Sequence, residues 1–170
     1  MQIRQESAQD APHIERLILA AFENHPHHAP GEGTTEHLIV QRLREAGALS
    51  LSLVAEDEEH GGIVGHVSFS PIAVDGQPRP WFAMAPVSVS PACQRQGIGG
   101  RLIQRALAEM KNLGAEGVVV LGDPGYYTRF GFHHAHRLGV AGVPARYFMA
   151  QALTGDAVPE GVVGFHPAFG

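Results

Sequence analysis

One cysteine, Cys93, stands in 170 residues, so an intrachain disulfide is excluded and a reducing compartment is the natural setting. Long apolar runs are missing as well. No stretch approaches the roughly 20 residues needed to cross a bilayer, and Met1 to Glu6 lacks the apolar core of a signal peptide. The expectation is a cytoplasmic chain with no membrane partner. Positive charge is scarce: 12 Lys and Arg face 17 Asp and Glu, a net charge of −5, which argues against a broad nucleic-acid footprint. No repeat, low-complexity tract or linker divides the chain, and its length and 44% hydrophobic content fit a single domain, 1–170, with a sizeable core.

What is present is organised around residues 86–121. Val87 and Val89 alternate with Ser88 and Ser90, the period of a half-buried strand, and Pro91 stops it. From Ile98 the apolar residues Leu102, Ala106 and Met110, widened by Ile103, Leu107 and Leu113, form one face of a helix that Gly114 ends. Val118 to Leu121 reads as a buried strand, giving a parallel, right-handed strand-helix-strand unit.

The turn before that helix carries the chemistry. Gln94-Arg95-Gln96-Gly97-Ile98-Gly99-Gly100 sets three glycines where the first backbone amides lack partners and the helix dipole is positive. An anion is the expected occupant, with Arg95 and Arg101 adding charge nearby. Spacing separates the phosphate-binding designs. A Walker loop needs Gly-Lys-Ser/Thr, but Arg101-Leu102 follows Gly100. A dinucleotide fingerprint needs glycine at 102 and an acid closing the next strand, where Leu121 and Gly122 stand.

The remaining pattern, Gln/Arg-x-x-Gly-x-Gly/Ala at Gln94, Gly97 and Gly99, resembles the acyl-CoA pyrophosphate loop of the GNAT N-acetyltransferases. A second segment, Leu121-Gly122-Asp123-Pro124-Gly125-Tyr126-Tyr127-Thr128-Arg129-Phe130-Gly131-Phe132, resembles that family's other signature, and its opening looks like the YhbS-like branch. The resemblance implies an α/β (α+β mixed) fold: a central, mostly antiparallel sheet with one splayed parallel pair of strands and flanking helices. It implies a CoA-binding core at about 81–132, acceptor-side helices at about 8–46 and C-terminal strands at about 145–166. It also implies that Val87, Ser88, Val89, Gln94, Arg95, Gln96, Gly97, Ile98, Gly99, Gly100, Arg101, Tyr126, Tyr127 and Phe130 contact acetyl-CoA.

Outside this core the residues speak less distinctly. Gln2 to Gln5 reads as a strand, and Ile14, Leu17, Ile18 and Ala21 mark an amphipathic helix entered at Ser7 and Asp10. Residues 25–31 form a breaker-rich loop, after which Thr34 or Thr35 caps a helix bearing Leu38, Ile39, Leu43 and Ala46. His25, His27 and His28 lack the partners of a zinc site, so no metal is expected. By resemblance this region walls the acceptor pocket, with Phe22, His25 and Glu32 as candidate contacts and Glu23 and Glu36 flanking it. Strands are expected at 49–53, 63–74, 81–89, 145–153 and 162–165, with Asp75-Gly76 as a hairpin turn and Pro86 as a bulge. In the family that bulge helps splay two parallel strands. His134 and His136 are expected on one strand face.

The implied reaction is direct attack of a neutral primary amine on the thioester of acetyl-CoA; the net negative charge suits a cationic amine. A phenol with pKa near ~10 is matched to a departing thiol of ~8 to 9. By resemblance that phenol is Tyr127, with Tyr126 as fallback. Backbone amides near Met84 to Val87 would polarise the thioester oxygen. The strand 81–89 contains no carboxylate. The base is therefore unassigned among a relayed water, Glu32 and the histidines at 25, 27 and 28. A non-catalytic acyl-CoA sensor and a nucleotide- or phosphate-binding α/β domain remain as alternatives, and either a monomer or a homodimer fits.

Overall fold

Alternation places apolar residues on the two faces of a long hairpin, and the rest of the fold is layered on it. The computed structural model describes residues 1–23 and 35–170. Its strands are β1 (Gln2–Gln5), β2 (Leu51–Asp57), β3 (Gly62–Val74), β4 (Gln77–Val89), β5 (Gly117–Leu121), β6 (His133–His134), β7 (Leu138–Gly139), β8 (Phe148–Ala152) and β9 (Gly161–Gly164). Its α-helices are α1 (Ala11–Phe22), α2 (Glu36–Glu45), α3 (Ile98–Asn112) and α4 (Pro124–Tyr127). The main sheet runs β1-β2-β3-β4-β5-β8-β6, and β9 pairs with both β3 and β7. Along the main path only β4 and β5 are parallel.

The two faces of β3 differ. Val67 and Phe69 face α3, whose Leu102, Ile103, Ala106 and Met110 are buried against them with Leu51, Leu53 and Ala55. Gly65 lets the helix come close: a Cβ there would lie 2.7 Å from Leu102 Cδ1 and 3.1 Å from Ile98 Cγ2. On the other face α1 and α2 bury Ile14, Ile18 and Val40 against Val54. The buried alternates of β3 on this side are His66, Ser68 and Ser70.

Several boundaries depart from the sequence expectation. Ser7 and Asp10 do open the first helix, through a short 3-10 turn at Ala8–Asp10; the Ser7 amide donates to Asp10 Oδ2 at 2.6 Å. In α2 the buried residues are Val40 and Leu43, and Ala46 is an exposed cap. Leu113 is 64% exposed, because α3 ends in a cap in which Gly114 (φ +94°) turns the chain and the Ala115 amide reaches back to Met110 O. The strand expected from Ala145 begins at Phe148, since Pro144 starts a 3-10 turn over Ala145–Tyr147. Phe165 falls beyond β9. β6 is only two residues long, so His136 lies outside it, and the expected His134/His136 face does not form.

Two features position the site. Register shifts at Val67/Phe69, which pair with Val87 and Met84, so Ala85 and Pro86 oppose Ser68 alone: the expected bulge at Pro86. Next, β4 pairs with β5 only over Trp81–Ala83 against Gly117–Val119, and beyond Ala83 the two part. The hairpin tip is fastened elsewhere. The Asp75 carboxylate accepts from the Val162 amide at 2.8 Å, the Asp75 amide donates to Val162 O at 2.9 Å, and the following turn Pro167–Phe169 rests on α2.

Candidate active site

Antiparallel pairing decides which way the backbone of β4 points. The Ser90 amide donates to Val64 O at 2.8 Å, so Ser90/Val64 and Ser88/His66 are the hydrogen-bonded pairs with β3. Val87 and Val89 belong to the alternate pairs, which turn N–H and C=O away from β3, toward the gap left by β5. That edge is an open template for an extended ligand. Gln94 folds back over it, its Nε2 donating to Val89 O at 3.2 Å.

The gap widens into a cleft of about 850 Å³. It brings together Val87 and Val89 from β4, Gln94, Arg95, Gly97, Ile98, Gly99 and Gly100 from the turn, and Tyr126, Tyr127 and Phe130 from the α4 segment. Gln96 and Arg101 do not line it, and Ser88 is buried on the opposite face of β4. Phe22 packs instead beside Ile14, Ile18, Val40 and Val54. His25 and Glu32, with the other loop histidines and Thr34, lie outside the described residues. Three lining residues went unassigned from sequence: Cys93, Gln104 and Arg129. Gln104 stands four residues after Gly100, one helical turn along the same face, and that spacing was the available signal.

The turn is built to present amides. Arg95 at φ +64° and Gly97 at φ +82° are both left-handed, an alternation that points successive N–H groups into a concavity ahead of α3. Holding an arginine in this region is strained, the kind of backbone found where a ligand clamp dictates conformation. Gly99 has no spare room, since a Cβ would come 2.9 Å from the Tyr126 hydroxyl.

Opposite the turn, Asp123 starts α4 by accepting the Gly125 amide at 3.0 Å. The helix holds an aromatic group: Tyr126 sits 5.0 Å from Tyr127 and 5.2 Å from Phe130, edge to face, with the Arg129 guanidinium 5.4 Å from the Tyr126 ring. Burial, helped by Tyr126 and Asp123, pushes the Tyr127 phenol up to about 12, and burial raises Tyr126 as well. Tyr127 is thus protonated at neutral pH and able to donate.

Residues 11–132 match the model of the acetyltransferase (GNAT) family. The chain belongs to the GNAT acetyltransferases. It is 37% identical to the N-acetyltransferase YhbS of Escherichia coli K12 over 175 aligned positions, covering 99% of this chain and 98% of that protein. A GNAT acetyltransferase from Brucella melitensis, solved in complex with acetyl-CoA, is 43% identical with a TM-score of 0.85, covering 99% of this chain and 97% of that one. The structure of YhbS from Escherichia coli in complex with CoA also superposes with a TM-score of 0.85, at 36% identity. The GNAT fold accounts for the parted parallel pair and the helices on both faces. Among the described residues no helix is long and apolar enough to cross a membrane, and no cluster of metal-ligating side chains occurs.

Proposed function

We propose that the cleft binds acetyl-CoA and passes its acetyl group directly to a primary amine, carried by a small molecule or a protein. The observation that carries this reading is the open edge of β4 at Val87 and Val89, ending at a glycine turn whose amides are free for an anion. The pantetheine amides pair along Val87 and Val89, and the diphosphate rests on the amides of 97–100 with Arg95 beside it. The thioester then lies near the bulge at Ala85 and Pro86. Tyr127 donates to the departing sulfur: its pKa of about 12 keeps the phenol protonated at neutral pH, while making it a weaker acid than the matched donor expected from the sequence. The amine enters from the side of α1 and α2.

A reducing, cytoplasmic setting belongs to the same proposal, and either a monomer or a homodimer is compatible with it. The test is release of CoA thiol when acetyl-CoA meets a panel of primary amines. An acyl-CoA sensor would bind the cofactor and release no thiol with any of them. A nucleotide-binding domain would let ATP or NAD compete as well as CoA does.

A further inference from the structure

The polar face of β3 holds groups that acetyl-CoA binding does not use. His66 is fully buried, and its Nε2 lies 2.8 Å from Ser52 Oγ. The Ser52 hydroxyl donates to Glu6 Oε1, and Glu6 is clamped by Arg44, whose Nε and Nη2 donate to its two oxygens at 3.0 Å each. Because the one hydroxyl proton of Ser52 goes to Glu6, Ser52 accepts from His66 Nε2–H. The other ring nitrogen, Nδ1, then carries a bare lone pair.

Among the described residues that lone pair has no hydrogen-bond partner, and neither do the buried hydroxyls of Ser88 and Ser70. All three lie on one face: Ser88 stands directly opposite His66 across the β3–β4 pair, and Ser70 opposite Ala83. Between them the Ser68 hydroxyl donates to Ala85 O at 2.9 Å, at the bulge. Buried polar atoms without partners are costly, and ordered water is their usual satisfier. The row has two distinct ends. Ala83 is the last residue of β4 that pairs with β5, so Ser70, its partner on β3, lies one strand from the point where β4 and β5 part, buried on the sheet face turned away from α3. Glu6, Arg44 and Ser52 line a surface groove at the other end.

We infer that this row, completed by ordered water at Ser70, Ser88 and His66 Nδ1, carries the amine's proton from the apex of the cleft to the surface. It rests on the acetyl-transfer reading above. An ammonium nitrogen with three protons ends as an amide nitrogen with one; the departing sulfur takes one, and the other must leave. Water at the apex takes it and passes a proton to His66 Nδ1. The Nε2 proton moves to Ser52 Oγ, the Ser52 proton moves to Glu6, and Glu6 releases it to solvent. Rotation of the ring and the hydroxyl then resets the chain. Burial, aided by Arg44 and opposed by Glu6, holds the imidazole neutral at working pH, which keeps Nδ1 open. His66 and Ser52 act through water and are positioning residues for the proton.

Two variants and one spectrum test this in the intact protein. With the most productive amine of the panel, Ser52→Ala and Glu6→Gln should each lower kcat at pH 7 about tenfold and leave KM for acetyl-CoA within about twofold. Their kcat should recover as pH rises and as small buffer bases are added, a rescue that a merely structural defect would not show. Separately, ¹⁵N NMR of the unaltered protein should find His66 as the neutral Nε2–H tautomer. Variants with the unaltered kcat and pH profile overturn the relay, as does a proton on Nδ1. If Ser52→Ala does not fold, Glu6→Gln decides. If the unaltered protein releases no thiol with any amine, the acetyl-transfer reading fails and the relay falls with it; transfer that persists unchanged in both variants overturns the relay alone.

Discussion

One strand, β3, separates two kinds of chemistry. Toward α3 it shows Gly65, Val67 and Phe69, tightly packed and dry, under the helix whose first turn faces the cofactor cleft. Toward α1 it shows His66, Ser68 and Ser70, buried and polar, linked to the surface through Ser52 and Glu6. The first face gives rigidity, because a helix set hard on a sheet fixes the amides at its start. The second gives up part of that packing advantage for a buried hydrogen-bonded network, the one proposed above to move a proton. Close packing and buried polarity are thus placed back to back on one element.

The sharpest way to break the comparison is acid. An unfolded histidine titrates at 6.5, whereas burial lowers His66 to about 4, so between these values the unfolded chain binds more protons and stability falls as pH falls. At 1.36 kcal/mol per unit, roughly 3 kcal/mol should be lost from pH 7 to 4 in urea titrations. His66→Gln should remove most of that slope. Asp10, held well below the usual carboxylate range chiefly by hydrogen bonds from Arg4, keeps its contribution until the medium is more acidic still.

On the dry face, Gly99→Leu should weaken acetyl-CoA binding about a hundredfold by calorimetry, ~2.7 kcal/mol, because the side chain meets the Tyr126 hydroxyl and fills the anion's approach. Unchanged affinity would remove the turn from the cofactor site. Gly65→Ala should cost about 2 kcal/mol of stability, since Leu102 and Ile98 are buried and cannot retreat. Smaller again, Tyr127→Phe should lower turnover about tenfold, with cofactor affinity held within a few fold. Full activity there would pass the donor role to Tyr126.

The dry face was legible because its chemistry is local. Glycines at 97, 99 and 100, a proline inside a strand and a helical apolar stripe sit in consecutive residues, and each has one conformational meaning. The polar face was not legible. Glu6, Ser52 and His66 come from three segments, and what joins them is strand register, set by pairing across the sheet and not by neighbours in sequence. Ser88 was grouped with Val87 and Val89 through the resemblance, although strand alternation turns its side chain to the opposite, buried face of β4. The short β6 escaped because histidine spacing implies a strand only if the strand continues, and here the chain leaves the sheet after His134.

The Asp75 clasp gives the two halves of the molecule a common frame. The tip of the β3–β4 hairpin grips residue 162, and a few residues later the tail leans on α2, so the long hairpin is tethered at the end remote from its glycine turn. Gly161 is part of the fit, because any side chain there would run into the Asp75 carboxylate. Trimming residues 161–170 would therefore unmoor the hairpin tip and strip α2 of its cover in one cut. The α1–α2 side would loosen first, while the glycine turn at the opposite end of β4 kept its shape.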